Sequence, residues 1–209
     1  IIFAIPSAFL SGELEKLTVS LKDKVIFSAI KGIVPETSLI VGEHFNKKYE
    51  IPFEDIGVIT GPCHAEEVAL ERLSYLTIAC GDSSKAKIVA KCLSGNYIKA
   101  KISDDIIATE YAAMLKNIYA IAAGMAHGLG YGDNFQSVLM SNGIREMKKF
   151  IKKVHKMKRN INNSAYLGDL LVTSYSQFSR NRTFGNMIGH GYSVRSAQLE
   201  MNMVADRKS

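Results

Sequence analysis

Residues Glu110 to Asn134, reading EYAAMLKNIYAIAAGMAHGLGYGDN, set the strongest limit on how this chain folds. The first fifteen are mostly Ala, Leu, Ile, Met and Tyr, without proline, and apolar residues recur on every face. That pattern predicts a helix buried on most sides. Lys116 and Asn117 interrupt it. An enclosed lysine either keeps its charge beside a partner or loses it by desolvation, and both outcomes make Lys116 a candidate proton donor. The competing reading, an ammonium that snorkels to the surface, stays open on these residues alone. The helix is expected to end at Gly124, with glycines 128, 130 and 132 forming a tight turn of exposed backbone.

Upstream of this helix, between Ile1 and about Ile102, short β-rich runs alternate with polar or helical segments. The runs are IIFAIP, KVIFSAI, IGVITGP, LTIACG and YIKAKI. Several are continuously apolar, as strands covered on both faces are, and together they predict the back half of an α/β sheet. Ligands of such sheets sit at the carboxyl ends of the strands. The residues there are Pro6 and Ser7, Lys31 and Gly32, Gly61 to Ala65, and Gly81 with Asp82.

After Ser103 the strand signals stop, and the remainder predicts an all-α unit, so that residues 1–102 and 103–209 form two domains. Ser103, Asp104 and Asp105 supply capping chemistry for the helix that carries Lys116. Ile144 to Met157 reads as an amphipathic surface helix. Met147, Phe150, Ile151 and Val154 lie on one face, opposite Arg145, Lys148, Lys149, Lys152, Lys153 and Lys156. A basic face of this kind binds polyanions or acidic lipid in some proteins, but is more commonly just solvated.

Composition narrows the function classes. Over 209 residues, cations exceed carboxylates by six, an excess suited to anionic ligands and too mild to argue for nucleic acid. Cys63, Cys80 and Cys92 are odd in number and form no CxxC, so reduced thiols in a cytoplasmic protein are expected. No apolar run is long enough to span a bilayer. The opening IIFAIPSAFL has no initiator Met, basic leader or cleavage pattern, and the natural beginning of the protein is expected upstream. The histidines lack ligand spacing, so no metal site is expected. The glycines at 128, 130 and 132 follow a helix rather than a strand, which excludes a dinucleotide fingerprint there.

Two further constellations carry chemistry. Asp169 lies in YLGDLLVT, either as a helix cap or as the partner that holds the charge of Lys116, and Thr173 falls one helical turn later on the same face. SRNRTFG, from Ser179 to Gly185, sets Arg180, Asn181 and Arg182 beside a hydroxyl, a combination suited to phosphate oxygens.

Taken in order, AIPSAF, SAIKGI, ITGPCHAEEVA, MLKNIYAIAAGMAHGLGYGDN, LGDLLVT and SRNRTFG resemble the bacterial type of NAD(P)-dependent glycerol-3-phosphate dehydrogenase, from Ile1 to about Ala205. The resemblance implies part of a Rossmann-type cofactor domain followed by a helical substrate-binding domain, with the active site between them. It implies interconversion of dihydroxyacetone phosphate and sn-glycerol 3-phosphate with NAD or NADP, feeding glycerophospholipid synthesis.

Carried over by position, it makes Lys116 the general acid and base, with Lys31 and Asp169 beside it. Gly61, Cys63, Asn117, Thr173, Ser179, Arg180 and Asn181 would contact substrate, Arg180 and Asn181 at its phosphate. Lys31, Ala65 and Arg180 would contact the cofactor. The expected partner is a small phosphorylated substrate rather than nucleic acid, with no membrane insertion, and a homodimer is left open. This sequence departs from the family in three ways: it has no glycine-rich pyrophosphate turn, Cys63 stands where Ser is common, and the family's acidic cofactor contact near the end would fall at Asp206. Two alternatives remain, a related dehydrogenase acting on a carboxylate or sugar acid and a catalytically silent anion-binding module.

Overall fold

The computed structural model describes residues 1–206, with side chains through residue 201. Asp206 therefore has no described side chain. The first part of the chain runs β1 (Ile2–Phe3), α1 (Ser7–Glu15), β2 (Ile26–Ser28), a hairpin of β3 (Ile33–Val34) and β4 (Leu39–Ile40), α2 (Val41–Tyr49), β5 (Ile56–Thr60), α3 (Ala65–Ala69), β6 (Ser74–Cys80), α4 (Ser83–Leu93) and β7 (Ile98–Ser103). Each of the five predicted runs contains a strand of one sheet, ordered β1-β2-β5-β6-β7. Successive side chains of a strand face opposite sides, and here both sides are covered. Ile26 and Ile56 pack with Leu10, Leu14, Val41 and Phe45 from α1 and α2. Phe27 and Ile78 pack with Ala86 and Ala90 from α4.

One pairing runs against the others. β5 and β6 are antiparallel, with Gly57 opposite Cys80 and Thr60 opposite Thr77, whereas the remaining pairs of this sheet are parallel. Only five residues of the segment between them are helical, too few for the crossover that a parallel strand requires. α4 supplies such a crossover between β6 and β7.

The rest of the described chain is helical: α5 (Ile106–Gly128), α6 (Asp133–Val154), a single π turn over Ser164–Gly168, α7 (Asp169–Tyr175), α8 (Arg180–Gly189) and α9 (Val194–Asp206). Asp105 caps α5 by accepting from the Ala108 N–H at 3.2 Å, and Ser103 Oγ accepts from the Asp105 N–H. As its pattern requires, α5 buries residues around most of its circumference, from Ile106 to Ala126.

Two helix boundaries differ from expectation. α5 does not stop at Gly124 but continues another turn to Gly128. Gly124 is there for close packing rather than termination: a Cβ on it would lie 2.0 Å from the Arg182 carbonyl oxygen of α8. The reciprocal glycine, Gly185, would place a Cβ 2.1 Å from the Ile121 carbonyl oxygen, and Gly128 and Gly189 repeat the arrangement a turn later. The amphipathic helix, in turn, starts at Asp133 rather than Ile144 and ends at Val154 rather than Met157. Its early turns bury Gln136 and Gly143, which an apolar pattern does not register; the Gln136 amide donates to the Ala123 carbonyl of α5 at 2.7 Å. Of its predicted apolar face only Met147 and Ile151 are buried, while Phe150 and Val154 are exposed.

Candidate active site

Four elements converge on Lys116. β2 ends where Ser28 Oγ accepts from the Ile30 N–H, and the chain then turns through Lys31 and Gly32. β5 ends at Thr60, and the next residue, Gly61, has φ +117°, a conformation that side chains resist. A Cβ there would also meet the Tyr75 carbonyl oxygen at 2.8 Å, so glycine is required twice over. The Tyr75 N–H donates to the Pro62 carbonyl at 3.1 Å and pins the turn against β6. This sets Cys63 and His64 at the carboxyl end of the sheet, facing the helical half.

From the helical half, Lys116 projects out of the middle of α5 and Asp169 from the first turn of α7. Lys116 Nζ lies 2.5 Å from Asp169 Oδ1, and both side chains are buried. The snorkelling reading of Lys116 is thereby excluded. Asp169 makes no capping hydrogen bond at its own helix, so the capping reading fails as well. The π turn just before Asp169, closed by the Gly168 N–H on the Asn163 carbonyl, is a device that recurs at functional sites. Thr173 donates its hydroxyl to the Asp169 carbonyl at 2.6 Å, one turn along, and does not reach the carboxylate.

The electrostatics follow from burial and neighbours. Enclosure lowers the pKa of Lys116 to about 8, the nearby Lys31 ammonium pushes the same way, and Asp169 opposes both. Burial also raises the Cys63 thiol, and it lowers His64, which Lys116 and Lys31 depress further. The cleft therefore sets a thiol that burial keeps protonated and an imidazole that burial and the lysines keep neutral beside Lys31 and Lys116, with Asp169 at the ion pair and Glu66 and Glu67 at its α3 edge.

Several buried polar atoms here have no partner: Asp169 Oδ2, His64 Nδ1, Thr60 Oγ1 and Ser174 Oγ. Buried polar groups normally find partners; of these atoms, Asp169 Oδ2 belongs to the ion pair itself and His64 feels the Lys116 charge, so both are available to a polar guest at this place. His64 lies inside the Gly61 to Ala65 stretch singled out from the sequence, though with no role of its own there, whereas Thr60 and Ser174 escaped sequence reasoning. The available signals were their positions, at a strand's carboxyl end and five residues beyond Asp169 in DLLVTS.

The structure thus brings Lys31, Cys63, Lys116 and Asp169 together, with Gly61 shaping the turn. Ala65 opens α3 and is exposed. Ser179 is buried and caps α8 by accepting from the Arg182 N–H, leaving Arg180, which is exposed, and Asn181 in the first turn. The α5–α8 seam runs parallel, with Gly185 against Ile121 and Gly189 against Met125. One helical turn earlier in that register, Asn181 falls beside Asn117, the neighbour of Lys116. Among the described residues no hydrogen bond or salt bridge joins Arg180 to the Lys116–Asp169 pair. Among the described residues no group of three or more His, Cys, Asp or Glu is arranged to hold a metal ion.

Comparison with known proteins gives this arrangement a family. The model of the NAD-dependent glycerol-3-phosphate dehydrogenase N-terminus matches residues 1–86, and that of the same family's C-terminus matches residues 105–207. The chain belongs to the NAD-dependent glycerol-3-phosphate dehydrogenase family. A glycerol-3-phosphate dehydrogenase [NAD(P)+] of Exiguobacterium is 37% identical over 208 residues, 99% of this chain and 61% of the relative.

Among solved structures, the glycerol-3-phosphate dehydrogenase of Coxiella burnetii superposes with a TM-score of 0.88 at 28% identity, over 96% of this chain and 61% of that one. The structure titled DsGPDH of Dunaliella salina gives 0.85 at 26% identity, over 97% and 36%. The chain spans a little over three fifths of the length of the curated relatives it matches. The fold is that of this family's sheet domain and helical domain.

Proposed function

We propose that the protein to which this chain belongs reduces dihydroxyacetone phosphate to sn-glycerol 3-phosphate, and the reverse, with Lys116 as the acid and base at the substrate C2 oxygen. The observation that carries this reading is the buried Lys116–Asp169 pair with an unpartnered carboxylate oxygen beside it. Asp169 holds the ammonium in place, and its free Oδ2 is ready to accept a hydrogen bond from a polyol hydroxyl. Lys116, with a lowered pKa, gives its proton to the developing alkoxide and recovers it in the other direction. Lys31 adds a second cation against the substrate's charge. Arg180 and Asn181, in the first turn of α8, face the phosphate with backbone N–H groups and a guanidinium fork.

A nicotinamide dinucleotide, NAD or NADP, supplies the hydride when bound. The residues present fit its reactive end: the unpartnered polar atoms Thr60 Oγ1 and His64 Nδ1 lie where β5 finishes, able to meet a carboxamide. Lys31, Ala65 and Arg180 are those that would hold it. Residues 1–102 and 103–209 act in this reading as cofactor-side and substrate-side domains, and Cys63 contacts substrate through backbone rather than its weakly bonding thiol. The location consistent with free thiols is the cytoplasm, and the product feeds glycerophospholipid synthesis.

The test is turnover of the complete gene product with dihydroxyacetone phosphate and NADH or NADPH, compared with carboxylated analogues. Reduction confined to the phosphorylated substrate supports the assignment; equal or better reduction of a carboxylate transfers it to a related dehydrogenase.

A further inference from the structure

The positive charge of this protein is concentrated in one place. Residues 145–159 hold eight Lys and Arg against a single carboxylate, Glu146. The other 194 residues hold 18 cations and 19 carboxylates, a net of −1, so this segment accounts for the entire excess of +6.

On α6 the cations form rows one helical turn apart, Lys148 with Lys152 and Lys149 with Lys153, all exposed. Past the end of the helix, Lys156 and Lys158 continue the first row and line a hollow of about 460 Å³ with Met157 and Ile161. The rows are bordered on the other side by Phe150 and Val154, which are 39% and 44% exposed. Arg159 also lines that hollow, with its guanidinium tied to Asp105 by a 2.5 Å bond. That bond sets the patch beside the start of α5, about 16 Å along the helix from Lys116 at 1.5 Å per residue. Neither the ion pair nor any group around it lies in the patch.

We infer that this face of α6 and the segment after it form a docking surface for an anionic phospholipid bilayer. The charges are compact ammonium groups on long stems, suited to a diffuse field of headgroups rather than to the bidentate contacts that mark base or phosphate readout. Their rows are flanked by apolar side chains, the exposed Phe150 and Val154 on one side and the half-buried Met157 on the other, which gain from the headgroup boundary and gain nothing along a nucleic-acid backbone. Because Met147 and Ile151 stay in the core, the helix lies on the surface and does not insert. The inference is independent of the proposed catalysis.

The test is co-sedimentation of the full chain with vesicles of phosphatidylcholine alone and of phosphatidylcholine with phosphatidylglycerol, at low and high salt, with duplex DNA as a competing polyanion. Binding should require phosphatidylglycerol and fall with salt. It should drop on the order of 100-fold or more when Lys148, Lys149, Lys152 and Lys153 are all changed to Gln, with the circular-dichroism spectrum unchanged. Three results would overturn the inference: no binding to anionic vesicles at low salt, undiminished binding of the quadruple variant, or displacement from vesicles by DNA at equal phosphate concentration.

Discussion

Lys116 and Asp169, 53 residues apart in sequence, meet at 2.5 Å with 3% and 2% of their surface exposed, and this ion pair joins the longest helix to the start of α7. Removing one member of a buried pair strands the other, at a cost of about 3–5 kcal/mol, whereas an apolar replacement of both is far milder. Lys116→Met and Asp169→Leu should each lower the unfolding free energy by that amount. The double variant should lose clearly less than their sum in a denaturant-unfolding cycle. Strict additivity would mean that the pair does not interact.

The lowered pKa of Lys116 predicts a pH profile for carbonyl reduction. In the proposed reduction the protonated amine is the donor, so the rate should be flat at lower pH and fall as pH rises through about 8. The neighbouring Lys31 cation contributes to the lowering, so Lys31→Ala moves the midpoint upward. Rate measurements from pH 6 to 10 on both proteins check this, and an unshifted midpoint contradicts it.

Glu110 is a second buried carboxyl group, held where α5 meets α2 by two bonds from the Gly42 N–H, at 3.0 and 3.2 Å. Burial raises its pKa from 4.5 to about 8, against the effect of the Gly42 bonds. The folded protein therefore keeps a proton that the unfolded chain releases at lower pH. Its contribution to stability is full below about 4.5, declines as pH rises toward about 8, and is flat beyond. Thermal unfolding between pH 5 and 9 should show this decline in the parent and a shallower one in Glu110→Gln; equal slopes would contradict the assignment.

The glycine seam between α5 and α8 makes Arg180 and Asn181, proposed above to meet the phosphate, depend on helix spacing. A methyl at Gly124 or Gly185 falls about 2 Å from backbone oxygen, so the helices must separate. Gly185→Ala should cost about 1–3 kcal/mol and raise KM for the phosphorylated substrate more than it lowers kcat. Differential scanning calorimetry with steady-state kinetics separates the two effects.

Much of this was legible in the sequence because it rests on local patterns. Apolar runs located all five strands of the main sheet, and a lysine inside an apolar helix marked the centre of the site. What stayed hidden depends on tertiary packing. Gly124 carries the usual mark of a helix end, yet its missing side chain admits the neighbouring helix α8. The long α6 begins earlier than its apolar stripe because Gln136 and Gly143 serve as buried residues. The antiparallel turn between β5 and β6 brings His64 toward Lys116, and nothing in the order of residues announces that meeting. Asp105 was expected only as a cap; it also binds Arg159 and accepts from the Tyr166 hydroxyl at 2.8 Å, tying the start of α5 to the π turn that precedes Asp169.

The most direct measurement is reduction of dihydroxyacetone phosphate by the complete gene product carrying Lys116→Met, with its near-ultraviolet circular dichroism matched to the parent. The account predicts a loss of kcat of about 100-fold or more at pH 7, with comparatively little change in KM. A folded variant that keeps its kcat within tenfold of the parent would contradict the role given to Lys116.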